Sequence, residues 1–411
     1  MLSERASLKR LKLSNFKLNC LLEITQAINE NLSTSELLIR YAKILCTDLN
    51  LGKVTILSKV YNWEILLEEG FSFPNSNLNQ LVCEYLSRYT EIQPLNAVNE
   101  ETLNSFDIVI PVFHKDRPFA YVLLGDIDED REGISPTIKH LRFIQTITNI
   151  ILVAIENKRL YKETLEKEAL KKELELASKM QSMLIPSNEN LPRTNKINFS
   201  AYYNPHSEVG GDYYDVIELN SKEFGFCIAD VSGKGISAAI LMSNFQANLR
   251  ALFTSGISLK ELIKKLNTTV MRNANGEKFI TIFIGKYNVE TRILKYINAG
   301  HNPPVHHSFN NDTITYLTHG AIGLGMFETI PTIAEGEVLI SPGDKILCYT
   351  DGLVEAENIY HSEFGTIPIE ASLSIEAPME TTIDNLMQNL MQFTQGVPLF
   401  DDITIVGIEF Q

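Results

Sequence analysis

The stretch SEVGGDYYDVIEL, Ser207 to Leu219, sets two adjacent glycines against an acid, Gly210-Gly211-Asp212. Taken alone it has three readings. It is a turn in which the missing Cβ atoms let a nucleotide approach the backbone; or an ordinary hairpin turn; or one corner of a metal site whose other carboxylates lie elsewhere in the chain.

Three more acidic landmarks downstream share its setting, each at the end of strand-like sequence beside small or turn residues. They are Asp230 in IADVSGKG, Asp351 in YTDGLVEA and the pair Asp401-Asp402 in FDDITIVGI. Singly, each has a plain structural explanation. Asp351-Gly352 is a common turn dipeptide, Asp401 opens a strand, and Asp230 caps the helix that begins near Ile236. Together they form a pattern. Strand-end carboxylates drawn from distant parts of a chain suit hard divalent cations such as Mg²⁺ and Mn²⁺. Two such ions about 3.5–4 Å apart activate water for attack on phosphorus without a side-chain nucleophile. The phosphate-loop pattern G-x-x-x-x-G-K-[ST] is not met in DVSGKG, because Gly235 follows Lys234. His301 in NAGHNPP is the histidine best placed for proton transfer, with a hydrogen-bonded turn residue as the plain alternative.

The chain divides into three zones. Residues 17–157 read as helix, short strands (KVTILSKV, FDIVIPVFH and, after a turn at Lys115-Asp116, RPFAYVLLGDI) and a closing helix. Residues 158–186 are rich in Glu, Lys and Leu and lack Gly; Leu160, Leu165, Leu170 and Leu174 make an apolar stripe flanked by charge. This predicts a coiled-coil linker that pairs two subunits, ended by Pro186, with a solvated single helix as the alternative. Residues 187–411 carry strand runs that mostly follow one another, including EFGFCIADV, KFITIFIGKY, DKILCYTDG and DITIVGIEF. That order favours an antiparallel α+β layer fold over a doubly wound sheet.

Composition sets the outer limits. With 411 residues, 44% hydrophobic and 21% charged, the chain reads as globular with two or three domains. The net charge of −15 argues against a nucleic-acid surface. No apolar run approaches the roughly 18 residues of a membrane span, and the first residues lack the apolar core of a signal peptide. Five scattered cysteines without CxxC pairing fit a reducing, cytoplasmic location and no structural zinc.

The ordered set VGGDYYDV, IADVSGKGISAAILM, FITIFIGKY, YINAGHNPP, GDKILCYTDGLVEA and DDITIVGIEF resembles the SpoIIE/RsbU branch of the PPM-type (protein phosphatase 2C-like) phosphatases. ELASKMQSMLIPS resembles the lead-in to that domain, and residues 17–157 resemble a GAF domain. The resemblance implies an α-β-β-α sandwich with two Mn²⁺ or Mg²⁺ ions at one end. Asp212, Asp230, Asp351 and Asp401 would be ligands, Asp230 bridging both ions and Val231 adding its carbonyl. A water bridged by the ions would hydrolyse phosphoserine or phosphothreonine. The substrate it implies is a phosphorylated protein of the STAS-type anti-anti-sigma class, and regulation would come from an unknown GAF ligand or protein signal. Asp402 would stand behind the ligands. Ser232 occupies the position of a His proposed as general acid in eukaryotic relatives, which leaves a water or His301 as proton donor.

Two other functions compete. A non-catalytic phosphoprotein-binding scaffold would tolerate loss of the aspartates, yet all four are present. A diguanylate cyclase would follow its Gly-Gly-acid with Glu-Phe, whereas Tyr213-Tyr214-Asp215 follows here, and the chain continues far beyond what such a turn needs. The cyclase reading is therefore set aside.

Overall fold

The computed structural model describes residues 2–59, 62–73, 77–95, 100–114, 117–127, 140–206 and 209–411, which leaves the turn expected at Lys115-Asp116 outside the described residues. The chain forms two compact units, Met1–Lys167 and Glu168–Gln411.

The first unit opens with α1 (Leu2–Asn29) and α2 (Thr34–Ala42). The break between them falls at Asn31–Ser33, where the Ser33 side chain caps α2 and Glu36 returns a bond to the Ser33 amide. Strands β1 (Leu51–Lys59), β2 (Trp63–Glu69), β3 (Gln93–Pro94), β4 (Ile108–His114) and β5 (Arg117–Ile127) form one antiparallel sheet in the order β2-β1-β5-β4-β3, with a short α3 (Leu78–Leu81) after β2. Alternation along β5 sorts its side chains by face. Val122 and Leu124 join Ile24, Tyr41, Ile147 and Ile151 of the helices, while Tyr121 and Leu123 join Trp63, Leu86 and Phe106 on the other side. Tyr41 and Thr148 share a buried 2.6 Å hydrogen bond.

Helix α4 (Leu141–Ser182) runs without interruption through the expected linker. No Gly or Pro occurs between its ends, so nothing in the sequence stops it before Leu184 and Pro186. Leu160, Leu165 and Leu170 on it are exposed.

The second unit is a two-sheet sandwich. Its elements are β6 (Ile197–Asn204), β7 (Tyr213–Asn220), β8 (Glu223–Val231), α5 (Ile236–Leu252), α6 (Leu259–Ala274), β9 (Ile280–Asn288) and β10 (Ile293–Ala299). They continue with β11 (Val305–Ser308), β12 (Thr313–Tyr316), β13 (Gly320–Ala321), β14 (Gly336–Leu339), β15 (Lys345–Tyr349), α7 (Asp351–Val354), α8 (Ile367–Leu373), α9 (Met379–Thr394) and β16 (Ile403–Phe410). One sheet has the order β13-β10-β9-β8-β7, with β14 also on β10; the other is β12-β11-β15-β16-β6.

Period-two sequence explains the layering. On β15, Ile346 and Cys348 face the core between the sheets, whereas Leu347 and Tyr349 face α8 and α9. On β16, Val406 and Ile408 face inward and Ile403 and Ile405 outward. Gly407 on the outward face lets α9 approach, since a Cβ there would lie 2.4 Å from the Met379 side chain. Phe199, Phe226 and Phe283 fill the space between the sheets, each contributing roughly 1.5–3 kcal/mol over its exposed state. Helices α5 and α6 bury Met242, Phe245, Leu262 and Leu266 in the same core. The result is an α-β-β-α order of layers. No helix among the described residues is long and apolar enough to cross a membrane.

Candidate functional site

The expected aspartates come from two strand ends in each sheet. Asp212 precedes β7 and Asp230 lies near the end of β8; the pairing of Tyr213 with Ala229 makes the two acids neighbours. In the other sheet Asp351 follows β15 and Asp401-Asp402 precede β16, with Tyr349 paired to Ile405. Hydrogen bonds tie the sheets together here. Thr404 Oγ1 donates to Asp212 Oδ2 at 2.5 Å. The Gly211 amide donates to Asp402 Oδ2 at 2.7 Å and the His206 amide to Asp402 Oδ1 at 2.7 Å. Asp402 therefore holds the Gly-Gly turn in place. The Thr404 amide in turn donates to Thr350 Oγ1 at 2.9 Å, beside Asp351.

The glycines of the opening stretch are required by close approach. A Cβ on Gly210 would sit 2.5 Å from the Tyr203 hydroxyl and 2.6 Å from Asp402 Oδ2. A Cβ on Gly211 would sit 3.0 Å from the Val231 carbonyl oxygen and 3.4 Å from Asp230 Oδ1, the two oxygens expected to hold metal. Asp230, Val231, His301, Asp351 and Asp401 line one cleft of about 290 Å³. Asp212 is buried, 2% exposed, and does not line it.

Crowded carboxylates repel, and burial strengthens the repulsion. Burial and the neighbouring Asp230 push Asp212 well above the usual carboxylate range. Burial, Asp351 and Asp401 push Asp230 up to about 7. Asp351 is raised by burial and by Asp401. Three strand-end acids thus have their ionised forms destabilised at one place, a charge that divalent cations would compensate. Among the described residues, however, no three His, Cys, Asp or Glu side chains converge as a ready-made ion cage. The oxygens have other partners: Thr404 on Asp212, and the Lys234 ammonium 2.9 Å from Asp401 Oδ2. The donor set, its unbalanced charge and the space left by Gly211 fit Mg²⁺ or Mn²⁺.

His301 is buried at the cleft. Its amide donates to Asn298 Oδ1, Nδ1 lies 3.0 Å from Thr281 Oγ1, and Nε2 has no hydrogen-bond partner among the described residues. Burial lowers its pKa to about 4, so at neutral pH the ring is uncharged. That state suits hydrogen bonding better than the proton donation expected of it. Ser232 is committed to the backbone, its hydroxyl accepting from the Phe279 amide at 2.9 Å.

Three participants escaped the sequence reading. Thr404 is a polar residue on the inward face of an apolar strand, which was a usable signal. In the sequence Lys234 reads only as a phosphate-loop lysine that fails its pattern. Gln181, at the end of α4, bonds both backbone groups of Gly210: Nε2 donates to the carbonyl at 2.7 Å and Oε1 accepts from the amide at 3.1 Å.

Residues 220–411 match the family model described as stage II sporulation protein E (SpoIIE). Asp230, Asp351 and Asp401 fall inside the match and Asp212 just upstream. Phosphoserine phosphatase RsbU of Bacillus subtilis is 27% identical over 242 residues, covering 58% of this chain and 70% of that one. Phosphoserine phosphatase RsbP of the same organism is 28% identical over 192 residues, covering 45% of this chain and 46% of RsbP. Among solved structures, the SiaA-PP2C domain of Pseudomonas aeruginosa aligns with a TM-score of 0.53 at 17% identity, over 60% of this chain and 99% of that one. That likeness supports the PP2C fold alone. With strand-end aspartates gathered at one end of such a sandwich, residues 220–411 are similar to the SpoIIE family, and the matched part reads as a PPM-type serine/threonine phosphatase domain.

Proposed function

We propose that the chain is a metal-dependent phosphatase that removes phosphate from phosphoserine or phosphothreonine of a signalling protein, under control of its N-terminal unit. The observation that supports this reading is that Asp230, Asp351 and Asp401 line one cleft at the end of the sandwich with Asp212 buried beside Asp230, and that burial and mutual repulsion raise three of these carboxyls.

Two Mn²⁺ or Mg²⁺ ions held by these aspartates and the Val231 carbonyl would neutralise the cluster and activate water for attack on phosphorus. The chain's own residues do the positioning. Thr404 fixes the Asp212 carboxylate, Asp402 fixes the Gly210-Gly211 turn through two amides, and Thr350 ties β15 to β16 beneath Asp351. His301, neutral and anchored through Asn298, orients polar groups in the cleft, and proton donation to the leaving serine falls to water.

A phosphorylated STAS-type protein is the substrate class we favour, from the resemblance of the motif set. We read residues 17–157 as a GAF-like sensor and residues 158–186 as a linker that pairs two chains through exposed Leu160, Leu165 and Leu170. The sensor's signal would shift the end of α4, which Gln181 connects to the Gly210 turn and thereby to Asp212. A cytoplasmic location accords with five unpaired cysteines.

The test is hydrolysis of p-nitrophenyl phosphate and of a phosphoserine protein with Mn²⁺, wild type against Asp351→Asn. We expect loss of activity on the order of a hundredfold or more in the variant. Equal background rates in both proteins would favour the non-catalytic scaffold.

A further inference from the structure

Lys234 brings a cation into a cleft that otherwise gathers carboxylates. Its Nζ lies 2.9 Å from Asp401 Oδ2 and also donates to the Phe400 carbonyl. Lys234 lines the cleft together with Asp230, Asp351 and Asp401. The pair is half open to solvent, with side chains 50% and 41% exposed. Such exposed pairs are weak, typically about 0–1 kcal/mol, so a competing cation would displace the ammonium readily.

The backbone around it allows withdrawal. Gly233 and Gly235 flank Lys234 with φ of 80° and 78°, a conformation that favours glycine. A Cβ on Gly235 would meet no atom within 4 Å, so the lysine's C-terminal flank is open. By contrast, Lys278 beside the same loop donates to the Ser232 carbonyl at 2.8 Å.

We propose that Lys234 is an exchangeable counter-ion for Asp401: its ammonium occupies the carboxylate that a divalent cation requires, and it must leave before that cation binds. The assignment rests on the metal-dependent reading of the cleft. It makes Lys234 a residue that sets divalent affinity, so that the site fills only above a threshold of free metal. The ammonium released from Asp401 remains tethered at the cleft mouth as a positive charge available to an incoming phosphate.

The two roles open to Lys234 differ in sign. If the lysine merely anchors the Phe400–Asp401 segment, removing it loosens a ligand and weakens metal binding. If it competes, removing it tightens binding. Calorimetric titration of the full-length, EDTA-stripped protein with MnCl₂ reads this directly, without catalysis. For Lys234→Gln we expect Mn²⁺ affinity to rise by about three- to tenfold over wild type. Lys234→Arg, which keeps the charge, should stay within about twofold of wild type. Melting curves in EDTA check that both variants are folded, and Lys234→Arg carries the comparison should Lys234→Gln fail to fold, since affinity weakened tenfold there would indicate an anchor. Equal or weaker Mn²⁺ binding by Lys234→Gln overturns the assignment and leaves the metal reading standing. Absence of Mn²⁺ uptake by wild type and variant alike sinks the metal reading and this assignment with it.

Discussion

Gln181 and Gly210 are joined by two hydrogen bonds, 2.7 Å and 3.1 Å long, that close the side-chain amide of the one onto both backbone groups of the other. Gln181 is buried, 6% exposed, at the end of a helix that begins at Leu141. Gly210 sits two residues before Asp212, in a turn also held by Asp402. Any movement of the helix end therefore acts on the backbone that carries a proposed ligand.

Replacing Gln181 with Leu keeps the volume and removes both bonds, leaving a buried amide and carbonyl without that partner. We expect kcat on p-nitrophenyl phosphate to fall by about tenfold and the Mn²⁺ requirement to rise, since positioning partners of metal ligands typically contribute 10–100-fold. Unchanged Mn²⁺ dependence in Gln181→Leu would separate the helix end from the site.

The two glycines should respond differently. In Gly210→Ala the new methyl meets the Tyr203 hydroxyl and Asp402 at 2.5 and 2.6 Å, an overpacking that costs about 1–3 kcal/mol. Chemical denaturation should show that loss. In Gly211→Ala the methyl stands 3.0 Å from the Val231 carbonyl and 3.4 Å from Asp230 Oδ1. Here stability should change little while Mn²⁺ affinity falls about tenfold, a pattern that calorimetry and melting together would expose.

Asp230 gives the metal-free protein a pH dependence of definite sign. Its carboxyl ionises near 3.8 when unperturbed and near 7 in the fold, so the folded state holds the proton more tightly. Its stabilising contribution is full below about 4 and is lost as pH rises through about 7. In EDTA at pH 7.5, Asp230→Asn should therefore melt higher than wild type, by about 5 °C, and should gain little from added Mn²⁺. A lower melting temperature for the variant in EDTA would contradict the repulsion described here.

Much of this was legible before the structure. The sandwich strands read clearly because Ile346 to Tyr349 and Ile403 to Ile408 are apolar on both faces, as strands between a core and a helical layer must be. The aspartates stood out by their place at strand ends. Other features were hidden. Strand β11 (Val305–Ser308) carries His306 and His307, which obscure its pattern, yet both are buried; His306 lies 3.3 Å from Asp344 and His307 3.0 Å from Asp312. The bonds from Thr404 to Asp212, Gly211 to Asp402 and Gln181 to Gly210 join residues far apart in the chain, and only the folded arrangement of the sheets pairs them. The stretch SEVGGDYYDVIEL supplied an acid and two glycines, but which oxygens the glycines make room for was visible only once β7 lay beside β8.

The most direct measurement is phosphate release from a phosphoserine protein by the full-length chain, followed through removal and return of the metal. Activity should disappear after exhaustive chelation with EDTA, return on titration with Mn²⁺, and fail to return in Asp351→Asn. Full activity persisting after thorough chelation would contradict the account at its centre.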